Sequence, residues 1–371
     1  MTIGFDAKRA FQNRTGLGNY SRMVITALAT QHPEVDIVLF TPRRAGDFAH
    51  HFDSFPQVRI VESKGLWRLM PSLWRTLALG SACRRNNVEI FHGLSHELPL
   101  FMPYKVRQVV TMHDLIAWRY PRQFHAVDRI IYHLKFRHAC RRADRVVAVS
   151  QQTRRDLIER LHVPEAKIQV VYQSCDPIFY QTVTDAQCDQ VRQRYQLPER
   201  YLICIGTLEP RKNQVAAVRA LALLPDDLHL VVVGRRTAYY ETVVRAVEEC
   251  NLQQRVHFLR DAAFADFPAL YTAAEAALYV SFFEGFGIPV LEALCCQTPV
   301  VAANTSSLPE VGGDAACYAD PNSPEAIAEQ VNNILENDTL RSQMREAALR
   351  QRDKFLPERI IADLYELYSN I

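Results

Sequence analysis

The feature that most constrains the fold is an alternation, run twice, of short apolar β-rich segments with longer segments of helical period. In the first series the strand candidates are Thr2–Asp6, Asp36–Phe40, Val88–Phe91, Val106–Thr111, Arg145–Val149 and Ile168–Val171. Helical period fills gaps between them, as at Gly18–His32 and Ser150–His162. Residues 173–200 break the rhythm. They are polar, carry Asp176-Pro177 and Leu197-Pro198, and suit a linker or a peripheral helix. The second series has strand candidates Tyr201–Ile205, Leu228–Val233, Arg255–Phe258, Ala276–Val280 and Pro299–Ala302, with helices at Lys212–Leu224, Thr237–Cys250 and Ile288–Cys296. Three more helical stretches fill residues 324–371. Strand, crossover helix and parallel strand make a βαβ unit, so each series predicts an α/β, doubly wound, Rossmann-like domain. Ligands of such sheets bind at the carboxyl ends of the strands.

Composition limits the class. A chain of 371 residues, 48% hydrophobic and 23% charged, suits two globular domains rather than a disordered segment. Met1-Thr-Ile-Gly-Phe-Asp6 reads as a strand, not as the basic start of a signal peptide. The most apolar stretch, Ala276–Cys296, is interrupted by Glu284 and Glu292, so no membrane-spanning helix is expected and the location expected is cytoplasmic. The nine cysteines include no Cys-x-x-Cys, which argues for reduced thiols and against structural zinc. Charge is uneven. Residues 1–190 hold 26 Lys and Arg against 17 Asp and Glu, and the remainder holds 17 against 24. A basic first half suits an anionic partner: nucleic acid, an acidic membrane surface or a phosphorylated acceptor.

Four segments carry candidate chemistry. In Glu284-Gly-Phe-Gly-Ile-Pro-Val-Leu-Glu292 a strand end meets a helix start. Gly285 and Gly287 let a ligand approach the backbone, Pro289 suits a first helical turn, and amides near Phe286, Gly287 and Ile288 attract a diphosphate. Glu284 and Glu292 can each hold a diol; a helix-capping glutamate and a surface glutamate are the plain alternatives. The second segment, Gly206-Thr207-Leu-Glu-Pro-Arg211-Lys212, follows a strand and offers a guanidinium and an ammonium to a diphosphate, or a solvated surface pair. The third, Thr15-Gly16-Leu-Gly18-Asn-Tyr20, opens a helix after the first strand and is a weak phosphate signal alone. The fourth is Thr111-Met-His113-Asp114-Leu at a strand end, either a base with its carboxylate or a satisfied structural histidine. Phe91-His92-Gly93 marks another strand end, a candidate for the acceptor side.

Together these segments resemble the GT4 family of retaining glycosyltransferases, its mannosyltransferase-like members above all. The resemblance spans most of the chain, from about Ile3 to Pro321, and is most specific in the second half. It implies a GT-B fold with two Rossmann-like domains facing across a cleft. Residues 1–180 would form the acceptor-side domain and 181–354 the nucleotide-sugar domain, with a C-terminal helix in 355–371 crossing back to the first. Glu284 would contact donor-sugar hydroxyls and Glu292 the ribose. Arg211 and Lys212 would hold the diphosphate, Gly16 and Gly18 would close over the donor, and His113 would sit beside its sugar. Thr207 departs from the pattern, because many members carry arginine directly after the glycine. Arg211 or the nearby Arg235-Arg236 would then supply the cation.

The implied activity is transfer of a hexose from a nucleotide sugar to a glycan or lipid-linked acceptor, with retention, in cell-surface polysaccharide synthesis. GDP-mannose is the first donor to consider, before UDP- or dTDP-sugars. No cofactor or metal is expected, since no Asp-x-Asp occurs. A nucleotide-sugar 2-epimerase shares the fold and is the alternative. Nucleic acid is disfavoured by the acidic second half and by the motifs. Two aromatic, basic stretches, Lys64–Arg75 and Arg129–Arg142, suit peripheral contact with an anionic inner membrane face, or else helices with solvated basic faces.

Overall fold

In the computed structural model, which describes residues 1–371 apart from the side chain of Arg122, the first series of apolar runs forms a seven-stranded sheet. Its strands are β1 (Thr2–Asp6), β2 (Asp36–Thr41), β3 (Val58–Glu62), β4 (Ile90–Gly93), β5 (Arg107–Met112), β6 (Arg145–Ala148) and β7 (Ile168–Val170). All pair in parallel, in the order β3-β2-β1-β4-β5-β6-β7. Helices cover both faces, which is why the central strands read as continuous apolar runs. Phe5 on one face meets Ile25 and Leu28 of the helix Gly16–Gln31 and Ile361 and Leu364 of the last helix, Pro357–Ser369. Phe40, Phe91 and Val110 on the other face meet Phe136 and Leu157. The compact unit built this way comprises Met1–Ser174 and Phe355–Ile371.

The second unit, Cys175–Lys354, holds six strands: β8 (Tyr201–Ile205), β9 (His229–Val233), β10 (Val256–Leu259), β11 (Ala276–Tyr279), β12 (Val300–Ala303) and β13 (Ala316–Ala319). They are again parallel, in the order β10-β9-β8-β11-β12-β13. In each sheet the strand order reverses beside the first strand, between β1 and β4 and between β8 and β11. Side chains at the carboxyl ends there face the crevice such sheets use for ligands. The polar stretch after the first unit contains a helix, Asp185–Tyr195, started by a capping box of Thr184 and Gln187.

Two strands, β3 and β13, lie outside the expected set. Both are edge strands. Arg59 and Glu62 interrupt the apolar pattern of β3, and the partly buried Ala-Cys-Tyr-Ala of β13 has little β-branched content. A half-covered edge does not require the long apolar run that marks the central strands.

Candidate functional site

A buried cluster of charge in the second unit lies at the reversal point between β8 and β11. After β8 the chain turns through Gly206, whose φ is +148°. A Cβ on Gly206 would fall 2.9 Å from the Lys212 ammonium, so glycine here makes room for that side chain. The turn Pro210–Lys212 ends at Asn213, which is left-handed and whose Nδ2 donates to the carbonyls of Val280 (3.2 Å) and Pro321 (2.7 Å). The Phe282 amide donates to the Arg211 carbonyl at 2.9 Å, and the Arg211 guanidinium donates to the Phe283 carbonyl at 2.5 Å. These bonds stitch the cationic turn to the loop after β11, which carries Glu284.

Glu284 is 8% exposed. Its Oε1 lies 2.6 Å from Arg211 and 3.6 Å from Lys212, and accepts from the hydroxyls of Tyr279 (2.9 Å) and Ser281 (3.0 Å). Lys212 Nζ donates to the Tyr279 oxygen at 2.9 Å. Burial alone would raise the Glu284 carboxyl; Lys212, Arg211 and the hydrogen bonds outweigh it and hold the group below its ordinary value. Burial likewise opposes the charge on Lys212 and Arg211, and Glu284 more than restores it, so both stay protonated. The result is an ionised cluster of two cations and one carboxylate, with Glu209 pairing Arg211 from the rim at 3.2 Å. These side chains are not the solvated surface pair or the helix cap that the sequence left open. The cap is Gly287, at φ +115°, which opens the helix Ile288–Cys295 with Pro289 in its first turn.

The loop between is fastened from behind. Ser306 Oγ accepts from the Glu284 amide at 3.0 Å, and the Ser307 hydroxyl donates to the carbonyls of Glu284 (3.0 Å) and Phe286 (2.6 Å). Gly285, Phe286, Gly287 and Ile288 therefore form a fixed turn whose helix dipole is positive at its start. Glu292, in the second turn of that helix, is also buried, and Tyr271 donates to its Oε2 at 3.2 Å. Burial lifts the Glu292 carboxyl to about 7, and the Tyr271 bond only partly offsets this. The two glutamates thus differ: one is locked as a carboxylate, the other titrates near neutrality. Ser281 opens the segment read from the sequence, and Ser306 and Ser307 lie in the stretch Thr305–Glu310 that continues it; Tyr279 alone of these was not singled out. Tyr279 ends an apolar strand and reads there as core, and only its contact with Lys212 and Glu284 separates it from one.

All but Arg235 and Arg236 of the remaining candidates lie in the first unit. His113 follows β5 and is buried, with Nε2 donating to the Leu94 carbonyl at 2.9 Å and Tyr20 edge-on at 4.7 Å between ring centres. Its own amide donates to His96 Nε2 at 2.8 Å. Burial first, and the neighbouring His96 second, depress His113 to about 3, so it is neutral and suits hydrogen bonding better than cationic work. Asp114 accepts from the Ile116 amide at 3.0 Å, and Nε2 of His113 is oriented by a backbone carbonyl. His92 does not line a surface: it is fully buried, bonded to Tyr368 (2.6 Å) and Thr111 (2.8 Å). Gly16 and Gly18 part company as well. Gly16 is exposed with open space at its Cβ position, whereas a Cβ on Gly18 would fall 1.9 Å from the Asn13 carbonyl oxygen. Arg236 lies over the Tyr240 ring at 4.1 Å. Among the described residues, no group of three or more His, Cys, Asp or Glu is placed to hold a metal ion.

Comparison with known proteins identifies the family and the fold. The family described as Glycosyltransferase Family 4 matches residues 14–178, and that described as Glycosyl transferases group 1 matches residues 189–351. The O-antigen chain mannosyltransferase B of Escherichia coli is 31% identical over 377 residues, covering 96% of each chain. The O-antigen chain mannosyltransferase RfbU of Salmonella typhimurium is 26% identical, covering 88% of this chain and 89% of that one. Anabaena HepE, solved in complex with UDP and glucose, superposes with a TM-score of 0.75 over 100% of both chains at 19% identity. WaaG, a glycosyltransferase involved in lipopolysaccharide biosynthesis, gives a TM-score of 0.70 at 18% identity over 97% of this chain and 98% of that one. The fold is GT-B, two parallel-sheet Rossmann-like domains.

Proposed function

The chain belongs to glycosyltransferase family 4, and from that premise we propose that it transfers mannose from GDP-mannose to a glycan or lipid-linked acceptor in cell-surface polysaccharide synthesis, with retention. The observation that carries the reading is the buried Arg211–Lys212–Glu284–Tyr279 cluster at the reversal point of the second sheet. The mannosyl preference rests on the relative that shares 31% identity over 96% of the chain.

An entering diphosphate competes with Glu284 and Glu209 for the two cations. As Arg211 and Lys212 turn to phosphate, the Glu284 carboxylate is released to accept hydrogen bonds from sugar hydroxyls. The bond from the anomeric carbon to the diphosphate breaks as the bond to the acceptor oxygen forms on the same face. The acceptor proton passes to the departing phosphate oxygen, and Lys212 with the helix start at Gly287 balances the charge left there. Glu292 holds the ribose diol.

Thermal unfolding with GDP-mannose, UDP-glucose and a dTDP-sugar tests the donor, because a ligand at a hundred times its Kd stabilises by roughly 2.7 kcal/mol. GDP-mannose is expected to shift the midpoint most. Transfer to a lipid-linked acceptor, read by NMR for the product anomer, is expected to persist in EDTA. An inverted anomer, dependence on added metal, or epimerised donor without transfer would each overturn the corresponding part.

A further inference from the structure

We propose that the helix Ala126–Arg142, with the neighbouring segments 65–77 and 99–104, forms a docking surface for an anionic lipid bilayer. Val127, Ile130, Ile131 and Leu134 follow i, i+3, i+4, i+7 spacing and are 68%, 58%, 42% and 66% exposed. That spacing ordinarily marks the face a helix buries. Here the buried face is the opposite one, made by Phe136, Ala139 and Cys140, with His133 stacked on Trp118 at 3.9 Å. The helix therefore has two apolar faces, one in the core and one in solvent.

The exposed stripe has apolar neighbours. Leu66 and Leu69 are 74% and 80% exposed, and Phe101 and Tyr104 are 66% and 88% exposed. The three segments are tied together. The Glu97 carboxylate accepts from Arg75 and from Lys135, each at 3.0 Å, and the Leu100 amide donates to the Thr76 carbonyl at 2.9 Å. Single exposed apolar side chains are ordinary; a stripe at helical spacing beside two further apolar segments marks an interaction surface.

Charge selects the occupant. Residues 64–77, 97–107 and 126–144 hold ten Lys and Arg against three acidic residues, Glu97, Asp128 and Asp144, of which Glu97 pairs with Arg75 and Lys135 and Asp144 with Arg107. On the helix, Lys135, Arg137, Arg141 and Arg142 flank the apolar stripe on the exposed side. Arg141 and Arg142 also line a depression of about 490 Å³ with Arg107, Arg145 and Lys167. A two-fold contact with a second copy would set these cations against one another. An anionic bilayer neutralises them, while Lys and Arg stems extend to the headgroup level as the apolar side chains enter. Among the described residues no helix is long and apolar enough to cross a membrane, so the contact lies on the surface.

The test is flotation of the full chain with vesicles of equal parts phosphatidylglycerol and phosphatidylcholine, against phosphatidylcholine alone. The protein is expected to float with the anionic vesicles about tenfold better than with the neutral ones, and less well in high salt. Ile130→Asn with Leu134→Asn, and separately Arg137→Glu with Arg141→Glu, are expected to abolish flotation without moving the unfolding midpoint, because these side chains are exposed. Flotation that ignores lipid charge, or that survives both double variants, overturns the proposal. So does light scattering in which Ile130→Asn with Leu134→Asn converts a dimer to a monomer. The readout is binding, so it stands or falls separately from the transferase reading.

Discussion

Glu284 was visible in the sequence as a carboxylate near glycines, but its chemistry depends on partners that only the fold brings to it, Arg211 and Lys212 from the distant turn after β8 and the nearby Tyr279 from the end of β11. Spacing placed the first three in suitable turns. It carried no sign of Tyr279, because a tyrosine in an apolar run is ambiguous until its hydroxyl has a partner. Lys212→Ala is expected to lower kcat/KM for transfer by roughly a hundred- to a thousandfold, the scale for losing one preorganised charge at a leaving group. Full activity in that variant would remove the cluster from the mechanism. Tyr279→Phe is expected to cost about 1 kcal/mol of stability, one hydrogen bond, and to weaken rather than abolish transfer. Glu292 makes a separate claim through pH. Its folded carboxyl is raised from an ordinary 4.5 to about 7, so its contribution to stability is full below 4.5 and is lost as pH rises through 7. A ribose diol donates to the ionised form, so binding of the nucleotide sugar releases a proton. Affinity is expected to rise roughly tenfold between about pH 6 and 8, measured by calorimetry, and Glu292→Gln should flatten the slope. An unsloped wild-type curve would show that the ribose does not meet ionised Glu292.

Among the elements, the central strands were legible because burial on both faces demands uninterrupted apolar runs, as in Val301 and Ala302 of β12 or Val231 and Val232 of β9. The edges β3 and β13 escaped because Arg59, Glu62 and the small residues of β13 answer to a half-covered surface. Turns were less legible than strands, since a glycine shows where backbone freedom exists but not what requires it. Two glycines of the first loop separate these causes. At Gly18 a side chain would strike the Asn13 carbonyl, so its identity follows from packing of the loop on the helix Gly16–Gln31. At Gly16 nothing lies within 4 Å, so packing gives no reason for glycine there. Gly16→Ala is therefore expected to change stability by less than about 0.5 kcal/mol, while donor affinity falls if the loop closes over the donor. Gly287→Ala should do both kinds of damage. It places a Cβ at a left-handed φ and 2.9 Å from Leu308 Cδ2, at a cost of about 1–3 kcal/mol. Unfolding midpoints and donor titrations on the two variants separate the cases, and equal destabilisation by both would contradict the assignment.

For the molecule as a whole, the helical period of the last residues was plain, but a period does not say which core receives the helix. The answer lies in long-range partners. Ile360, Ile361, Leu364, Leu367 and Tyr368 are buried in the first unit's core, more than 180 residues after its last strand, β7. The Tyr368 hydroxyl meets His92 Nδ1 at 2.6 Å, while His92 Nε2 bonds Thr111, so the last helix also fixes a buried neutral histidine in β4. Burying five such side chains is worth roughly 1.5–3 kcal/mol each, together comparable to the whole stability of a domain. Removal of residues 357–371 is therefore expected to unfold the first unit rather than loosen it. The second unit, Cys175–Lys354, has its own core. Calorimetry of the truncated chain should show one surviving transition, and limited proteolysis should digest residues 1–174 first. A milder variant guards against simple insolubility: Tyr368→Phe removes only the hydrogen bond and should lower the first unit's stability by about 1 kcal/mol, or more if His92 is left unpaired. If both transitions survive truncation unchanged, the first unit folds without its last helix, and the return of the chain serves some purpose other than completing that core.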